Sequence, residues 1–218
     1  QYQKFLNQYQ STYFCQNDLD FKLMKHIKKR NGRYLEIGAF DGLVGSVSLR
    51  LERNLNWKGV LIEPLRDKYE KLLSFRGKKN ICIHSACTEN DSPKKINMTN
   101  LGRMTHIIDN KKLINLDTSK HSKAAKKLLL GKGNIEASPN STLTKLLTKN
   151  KIYNLDLAVI DVEGSEKLIL LGLNFKKINI DFICIETYNF RAINKLLKKN
   201  NYELIDKLSK HDYLFKKK

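Results

Sequence analysis

Tyr34-Leu35-Glu36-Ile37-Gly38-Ala39-Phe40-Asp41-Gly42 is the stretch that decides how this chain folds. A short apolar strand runs into an E-x-G-x-x-x-G turn, and further on the run Gly59-Val60-Leu61-Ile62 ends in Glu63-Pro64. Glycine at such a turn lets backbone come close to a ligand, because it has no Cβ and tolerates positive φ. An acidic residue ending the next strand can accept hydrogen bonds from two vicinal ribose hydroxyls. In this way an open α/β sheet holds a nucleoside-containing cofactor outside the carboxyl ends of its strands. The glycine spacing differs from the dinucleotide pattern G-x-G-x-x-G. A single nucleoside with an amino-acid tail, S-adenosylmethionine, fits it better than NAD.

With 218 residues the chain has the size of one domain able to bury most of its apolar surface. The expected organisation is a single domain over 1–218, with an N-terminal helical arm at 1–32 and an irregular substrate-side insertion at 99–139. A 41% hydrophobic and 29% charged composition places it among globular chains. No apolar run reaches the length of a membrane span, and no charged-apolar-small leader opens the sequence. The first residue is Gln1 rather than Met, which reads as a domain excised from a longer polypeptide. Cys15, Cys82, Cys87 and Cys184 form no C-x-x-C pair and no zinc spacing, so a reducing, cytoplasmic setting is expected. The formal charge of +19 suggests nucleic acid. Lysine, however, outnumbers arginine 33 to 8, and arginine is the residue of bidentate base and phosphate recognition. The lysines are scattered among abundant Asn and Ile, as AT-rich codons would supply. Genome composition is the simpler explanation, although the charge favours anionic partners non-specifically.

Strands and helices alternate along most of the chain. Asp18 is placed to cap a helix with an apolar face of Phe21, Met24 and Ile27, ending before Asn31-Gly32. Strands are expected over 33–37, 58–62, 80–84, 155–160 and 181–185, with helices over 46–53, 66–75, 141–149 and 190–199 and another starting near Gly164. Residues 202–208 and 213–216 read as a closing hairpin. Between the strand at 80–84 and the helix at 141–149 lie a short strand over 95–98 and a lysine-rich irregular stretch with one helix at 122–130. Strands separated by helices imply a mostly parallel sheet with right-handed crossovers and helices on both faces. Glu36, Glu63, Ser85, Asp161 and Glu186 all fall at or near strand ends, where ligands of such sheets bind.

The chain resembles the FkbM-type S-adenosylmethionine-dependent methyltransferases. Gln16-Asn17-Asp18, residues 35–42, Leu51-Glu52, Trp57-Lys58-Gly59-Val60-Leu61-Ile62-Glu63-Pro64, Ser141-Thr142-Leu143 and Ile160-Asp161-Val162-Glu163-Gly164-Ser165-Glu166 carry the resemblance in order. It implies a Rossmann-like class I methyltransferase with a seven-stranded sheet ending in an antiparallel hairpin. It also implies a cofactor site for S-adenosylmethionine. Gly38, Ala39 and Gly42 would meet the methionine end, with Glu36 below the turn. Glu63 would take the ribose, Pro64 would flank the adenine, and Ser85 and Ala86 would meet its other edge. Asp161 and Val162 would complete the site. Phe40-Asp41 and Ser46-Val47-Ser48 depart from the family pattern, and Ser46 is the residue assigned to the cofactor carboxylate.

Methyl transfer to a hydroxyl needs in-line positioning and either a base or a metal. Asp161 and Glu186 end neighbouring strands and read either as a base pair, with Asp161 as the base, or as two oxygen ligands of Mg²⁺ or another divalent cation. Glu163, Arg103, His106 and Tyr188 are the candidate substrate contacts. Glu166 is more simply a helix-start acid stabilised by the macrodipole, and Trp57 a packing residue. Family habit favours a sugar hydroxyl of a glycan or glycoconjugate as acceptor, beside fused glycosyltransferase domains. RNA ribose 2′-O-methylation is one alternative, although no lysine is placed beside Asp161 as a Lys-Asp-Lys-Glu tetrad requires. A non-catalytic cofactor-binding module is the other.

Overall fold

Four of the five residues of β1 (Arg33–Ile37) and five of the six of β2 (Lys58–Glu63) are buried, so both strands must be covered on two faces. The computed structural model describes residues 15–100, 105, 107 and 134–218. In it β1 and β2 join β3 (Ile81–His84), β7 (Asn154–Ile160), β8 (Asn179–Glu186), β9 (Tyr202–Lys207) and β10 (Asp212–Lys217). The sheet runs in the order β3-β2-β1-β7-β8-β10-β9. The first five strands are mutually parallel, and β10 is antiparallel to both its neighbours. This is the mostly parallel seven-stranded sheet with a closing hairpin that the sequence implied.

The two faces follow the period of two. Leu35, Ile37, Val60, Ile62, Ala158 and Ile160 pack on one side. There they meet α4 (Leu143–Lys149), α5 (Glu166–Leu171) and α6 (Phe190–Lys199) through Leu143, Leu147, Ile169, Ile193 and Leu197. Tyr34, Leu61, Leu157 and Val159 point the other way, onto α1 (Leu19–His26), α2 (Ser48–Leu55) and α3 (Arg66–Arg76). Glu36 belongs to the phase of Tyr34, which matters for the site.

Two expectations need correction. The buried stripe of α1 is Leu19 and Leu23, continued by Ile27, while Phe21 is 47% exposed. The stripe is shifted because Asp20 is fully buried and bound to Arg50 of α2 at 2.6 Å, so an acid occupies what looked like the polar side. Asp18 precedes α1 in a left-handed conformation and makes no side-chain cap. The second correction concerns residues 134–141, expected as irregular chain running into a helix at Ser141. They form β6 (Asn134–Ser141), antiparallel to β5 (Lys95–Asn100) and parallel to the two-residue β4 (Ala86–Cys87). Its polarity is inverted relative to an ordinary strand: Ile135 is exposed, whereas Ser138 and Asn140 are buried. Asn140 is satisfied by the carbonyls of Asn90 and Pro93 and by the Thr88 hydroxyl. Pro139 and its polar neighbours therefore read as a turn although the backbone is extended. Helix α4 starts two residues later than expected, with Thr142 as its capping acceptor for Lys145. The helix expected at 122–130 lies outside the described residues. Among those described, no helix is long and apolar enough to cross a membrane.

Trp57, just before β2, is 1% exposed and donates its Nε1 hydrogen to the Lys29 carbonyl at 2.7 Å. Its ring fills the space beside Gly32, where an added Cβ would lie 2.4 Å from it. Trp57→Ala should destabilise the protein by about 3–5 kcal/mol, measured as the shift in urea unfolding followed by circular dichroism.

Candidate functional site

The carboxyl ends of β1, β2, β7 and β8 open on a cavity of about 300 Å³, at the lower end of the usual range for small-molecule sites. It lies where β1 is flanked by β2 on one side and β7 on the other, the point of order reversal at which such sheets bind ligands. Gly38 sits at this seam with φ +82°, and an added Cβ would come within 1.9 Å of the Asp161 carbonyl oxygen. The amides of Gly38 and Ala39 both point to the Ile62 carbonyl at 3.1 Å, and that of Asp161 to Ile37 at 3.2 Å. The turn is thereby tied to both neighbouring strands.

Of the residues singled out from sequence, Glu36, Gly38, Ala39, Ser46, Glu63 and Pro64 line the cavity. Ser85, Ala86, Asp161, Val162, Glu163, Glu186 and Tyr188 line the rest. Gly42 is not in the wall. Its φ is +77°, and an added Cβ would strike Leu72 at 2.6 Å and Arg76 at 2.8 Å, so it makes room for α3 rather than for a ligand. Arg103 and His106 lie outside the described residues. The Ser46 hydroxyl, assigned from sequence to a cofactor carboxylate, donates to Glu36 at 2.9 Å. That of Ser85 donates to the Ala86 carbonyl at 2.7 Å. The sequence did not point to Met98 and Ile107 as part of the site, yet both line the cavity and pack with Leu65, Ala86 and Ile96. The apolar alternation of Ile96 and Met98 was the available signal.

At the β2 end, Glu63 is 4% exposed. One carboxylate oxygen accepts from the Phe40 amide at 2.8 Å and the other from the Leu65 amide at 2.9 Å. Burial outweighs these two bonds and pushes its pKa up to about 8. Phe40 reaches this contact with φ +50°, a left-handed conformation that a bulky residue seldom adopts. Glu36 is also buried, accepting from the Val47 amide and from the hydroxyls of Ser46 and Ser48.

At the β7–β8 end, Asp161 opens to the cavity and is hydrogen-bonded to the half-buried Glu186. Burial first, then the Asp161 charge and that bond, then Asp212 and Glu163, drive the Glu186 pKa well above the carboxylate range. Asp212 lies opposite Glu186 in the β8–β10 register. Glu166 is buried below the loop and accepts from the Gly164 amide at 2.8 Å, and burial pushes its pKa up to about 7. Tyr188 is 40% exposed at the rim, its ring stacked on His211 with centroids 4.0 Å apart. Among the described residues no group of three or more His, Cys, Asp or Glu side chains could hold a metal ion.

The model of the methyltransferase FkbM domain matches residues 36–215 of the sequence. The chain belongs to the FkbM methyltransferase family. No curated protein matches it significantly. Solved structures similar to it include a TehB-like S-adenosylmethionine-dependent methyltransferase from Corynebacterium glutamicum, 7% identical, TM-score 0.48, with 100% of this chain and 98% of that one covered. A second is an S-adenosylmethionine-dependent methyltransferase from Aquifex aeolicus, 10% identical, TM-score 0.48, covering 91% and 87%. A third is a precorrin-6y C5,15-methyltransferase from Geobacter metallireducens, 12% identical, TM-score 0.46, covering 92% and 87%. At these scores the likeness adds nothing to what strand order and family membership establish.

The FkbM domain is thus an S-adenosylmethionine-dependent methyltransferase, and the residues present fit that cofactor. Gly38 closes the seam against the Asp161 carbonyl and presents bare backbone in the cavity wall. The Glu63 carboxylate, anchored by two amides, retains lone pairs for two ribose hydroxyls, and an apolar wall of Ala86, Met98 and Ile107 suits a purine. Accepting from both hydroxyls requires the ionised carboxylate. With its pKa at about 8, a Glu63 that received the ribose would release a proton as a nucleoside binds at lower pH. Affinity for 5′-methylthioadenosine, whose tail does not ionise, should therefore rise between pH 6.5 and pH 8. Calorimetry in buffers of different ionisation enthalpy should detect the released proton, and Glu63→Gln should abolish both effects.

Proposed function

We propose that this FkbM domain is an O-methyltransferase acting on a sugar hydroxyl of a glycan or glycoconjugate. The observation that carries the reading is the Asp161–Glu186 carboxyl pair at the acceptor end of the cavity. S-adenosylmethionine supplies an electrophilic methyl group on a sulfonium. The ribose position at Glu63 and the acid pair lie on opposite sides of β1, so the reacting centre falls between them above Gly38.

Glu186 holds a proton, and the negative charge of Asp161 is one of the influences that keep it there. Asp161 is then the carboxylate that accepts the acceptor proton as the new C–O bond forms and the C–S bond breaks. Glu186 donates to Asp161 and orients it. A sugar hydroxyl is too weak an acid to be ionised beforehand, so proton removal is concerted with methyl transfer. The exposed Tyr188 ring beside this pair offers a flat apolar face of the kind that packs on the C–H face of a pyranose. The largest charges acting on Glu186 are carboxylates, a poor setting for a phosphodiester backbone.

Asp161→Asn should lower the rate of methyl transfer from labelled cofactor to a responsive methyl glycoside by about 10²–10⁴-fold, with S-adenosylhomocysteine affinity nearly unchanged. Glu186→Gln, which can still donate, should lose less. Transfer to oligoribonucleotide rather than glycoside, collapsing with modest salt, would transfer the site to RNA. Loss of turnover in EDTA restored by Mg²⁺ would make the two carboxylates cation ligands.

A further inference from the structure

Arg76, the last residue of α3, is 1% exposed and takes no part in the cavity wall. All five of its N–H groups are nevertheless engaged. Nε donates to Glu52 at 2.9 Å. Nη1 donates to the Gly42 carbonyl at 2.6 Å and the Ser46 hydroxyl at 3.2 Å. Nη2 donates to the Tyr34 hydroxyl at 2.8 Å and the Ser48 hydroxyl at 3.2 Å. The two serines pass the interaction on, since each donates its own proton to Glu36. Guanidinium and Glu36 carboxylate are thus joined through two hydroxyls rather than directly. Glu52 is held in turn by the Asn80 amide at 2.9 Å.

Three of these five bonds end on residues 42–48, the second half of the turn that leaves β1. Val44, Gly45, Ser46 and Glu36 from this segment and strand line the cavity. Gly42 is the complement of the arrangement, because only without a Cβ there can the Arg76 stem lie against the turn. Gly42 and Gly45 in this segment take positive φ, which glycine adopts readily but shares with many other conformations, so the Arg76 bonds select one of them.

We propose that Arg76 is the positioning residue of the cofactor site. Its planar five-donor fork fixes the 42–48 segment in the shape that receives the part of the cofactor beyond the ribose. The proposal rests on the cofactor reading of the cavity. On that reading Glu63 at the end of β2 takes the nucleoside, and the segment leaving β1, which lines the other part of the cavity, takes the tail. Lysine cannot substitute, as its three donors radiate from one point and cannot reach the Gly42 carbonyl, both serines and Glu52 together.

The test compares two ligands on the purified protein by calorimetry. S-adenosylhomocysteine carries the amino-acid tail and 5′-methylthioadenosine lacks it. Arg76→Lys should weaken S-adenosylhomocysteine by about tenfold or more and 5′-methylthioadenosine by less than about threefold. Ser48→Ala, buried and outside the cavity wall, should show the same split with a smaller loss, and keeps the test intact where Arg76→Lys does not fold. Equal weakening of both ligands, or none, overturns the proposal and leaves Arg76 a stability residue. Failure of the wild-type protein to bind either ligand overturns the cofactor reading, and the proposal with it.

Discussion

The close approach of Gly38 to the Asp161 carbonyl is the constraint on which the rest of the site depends. An added Cβ would stand 1.9 Å from that oxygen, so the first strand can leave the sheet beside β7 only through glycine. Because β1 leads to β2 on one side and pairs with β7 on the other, this contact lies at the reversal of strand order. Closing the seam brings the Ile62 carbonyl under two successive amides and the Asp161 amide onto Ile37. Glu63 at the end of β2 and the acid pair at the ends of β7 and β8 are thereby set on opposite shoulders of one glycine.

Legibility from sequence tracks how local each determinant is. The β1 turn, the Glu63 and Asp161 strand ends and the closing hairpin are encoded in contiguous residues with the period of a strand, and they were readable. Arg76 was not. It ends a largely polar helix whose other buried side chain is Leu72, and nothing in its neighbours distinguishes a buried guanidinium from an exposed one. Its partners Tyr34, Gly42, Glu52 and Ser48 are far apart in the sequence and meet only because α2 and α3 cover the same face of the sheet. Gly42 was misplaced for the same reason: a turn glycine looks alike whether it faces a ligand or a side chain. Strand β6 was hidden by a different effect. Its buried positions are Ser138, Asn140 and Ser141, whose hydrogen bonds replace the apolar signal that marks a strand.

The charge of the chain and the charge of its site run in opposite directions. The sequence carries +19, yet Asp161, Glu163 and Asp212 all act on Glu186 at the β7–β8 end of the cavity. Scattered lysines on a solvated surface are screened over about 8–10 Å, whereas carboxylates at the mouth of a partly enclosed cavity are screened less. The local field is therefore set by the acids. It complements a sulfonium, and it gives no reason to take the net charge as a guide to the acceptor.

The carboxylates at these strand ends also show how environment divides one functional group among several tasks. Glu36 is served by two hydroxyls and an amide and is part of the scaffold. Glu63 is served by two amides, enough to orient it but not enough to offset burial, so its pKa rises to about 8 and its ionisation is coupled to what binds. Glu166, clamped by the amides of its own loop, rises to about 7 and shapes the backbone that carries Asp161. Glu186 has another carboxyl for its partner. Two neighbouring carboxyls, one of them half-buried, cannot both ionise cheaply, so the pair retains a proton. What separates Glu36 from Glu63 is the number of fixed donors that each strand end supplies.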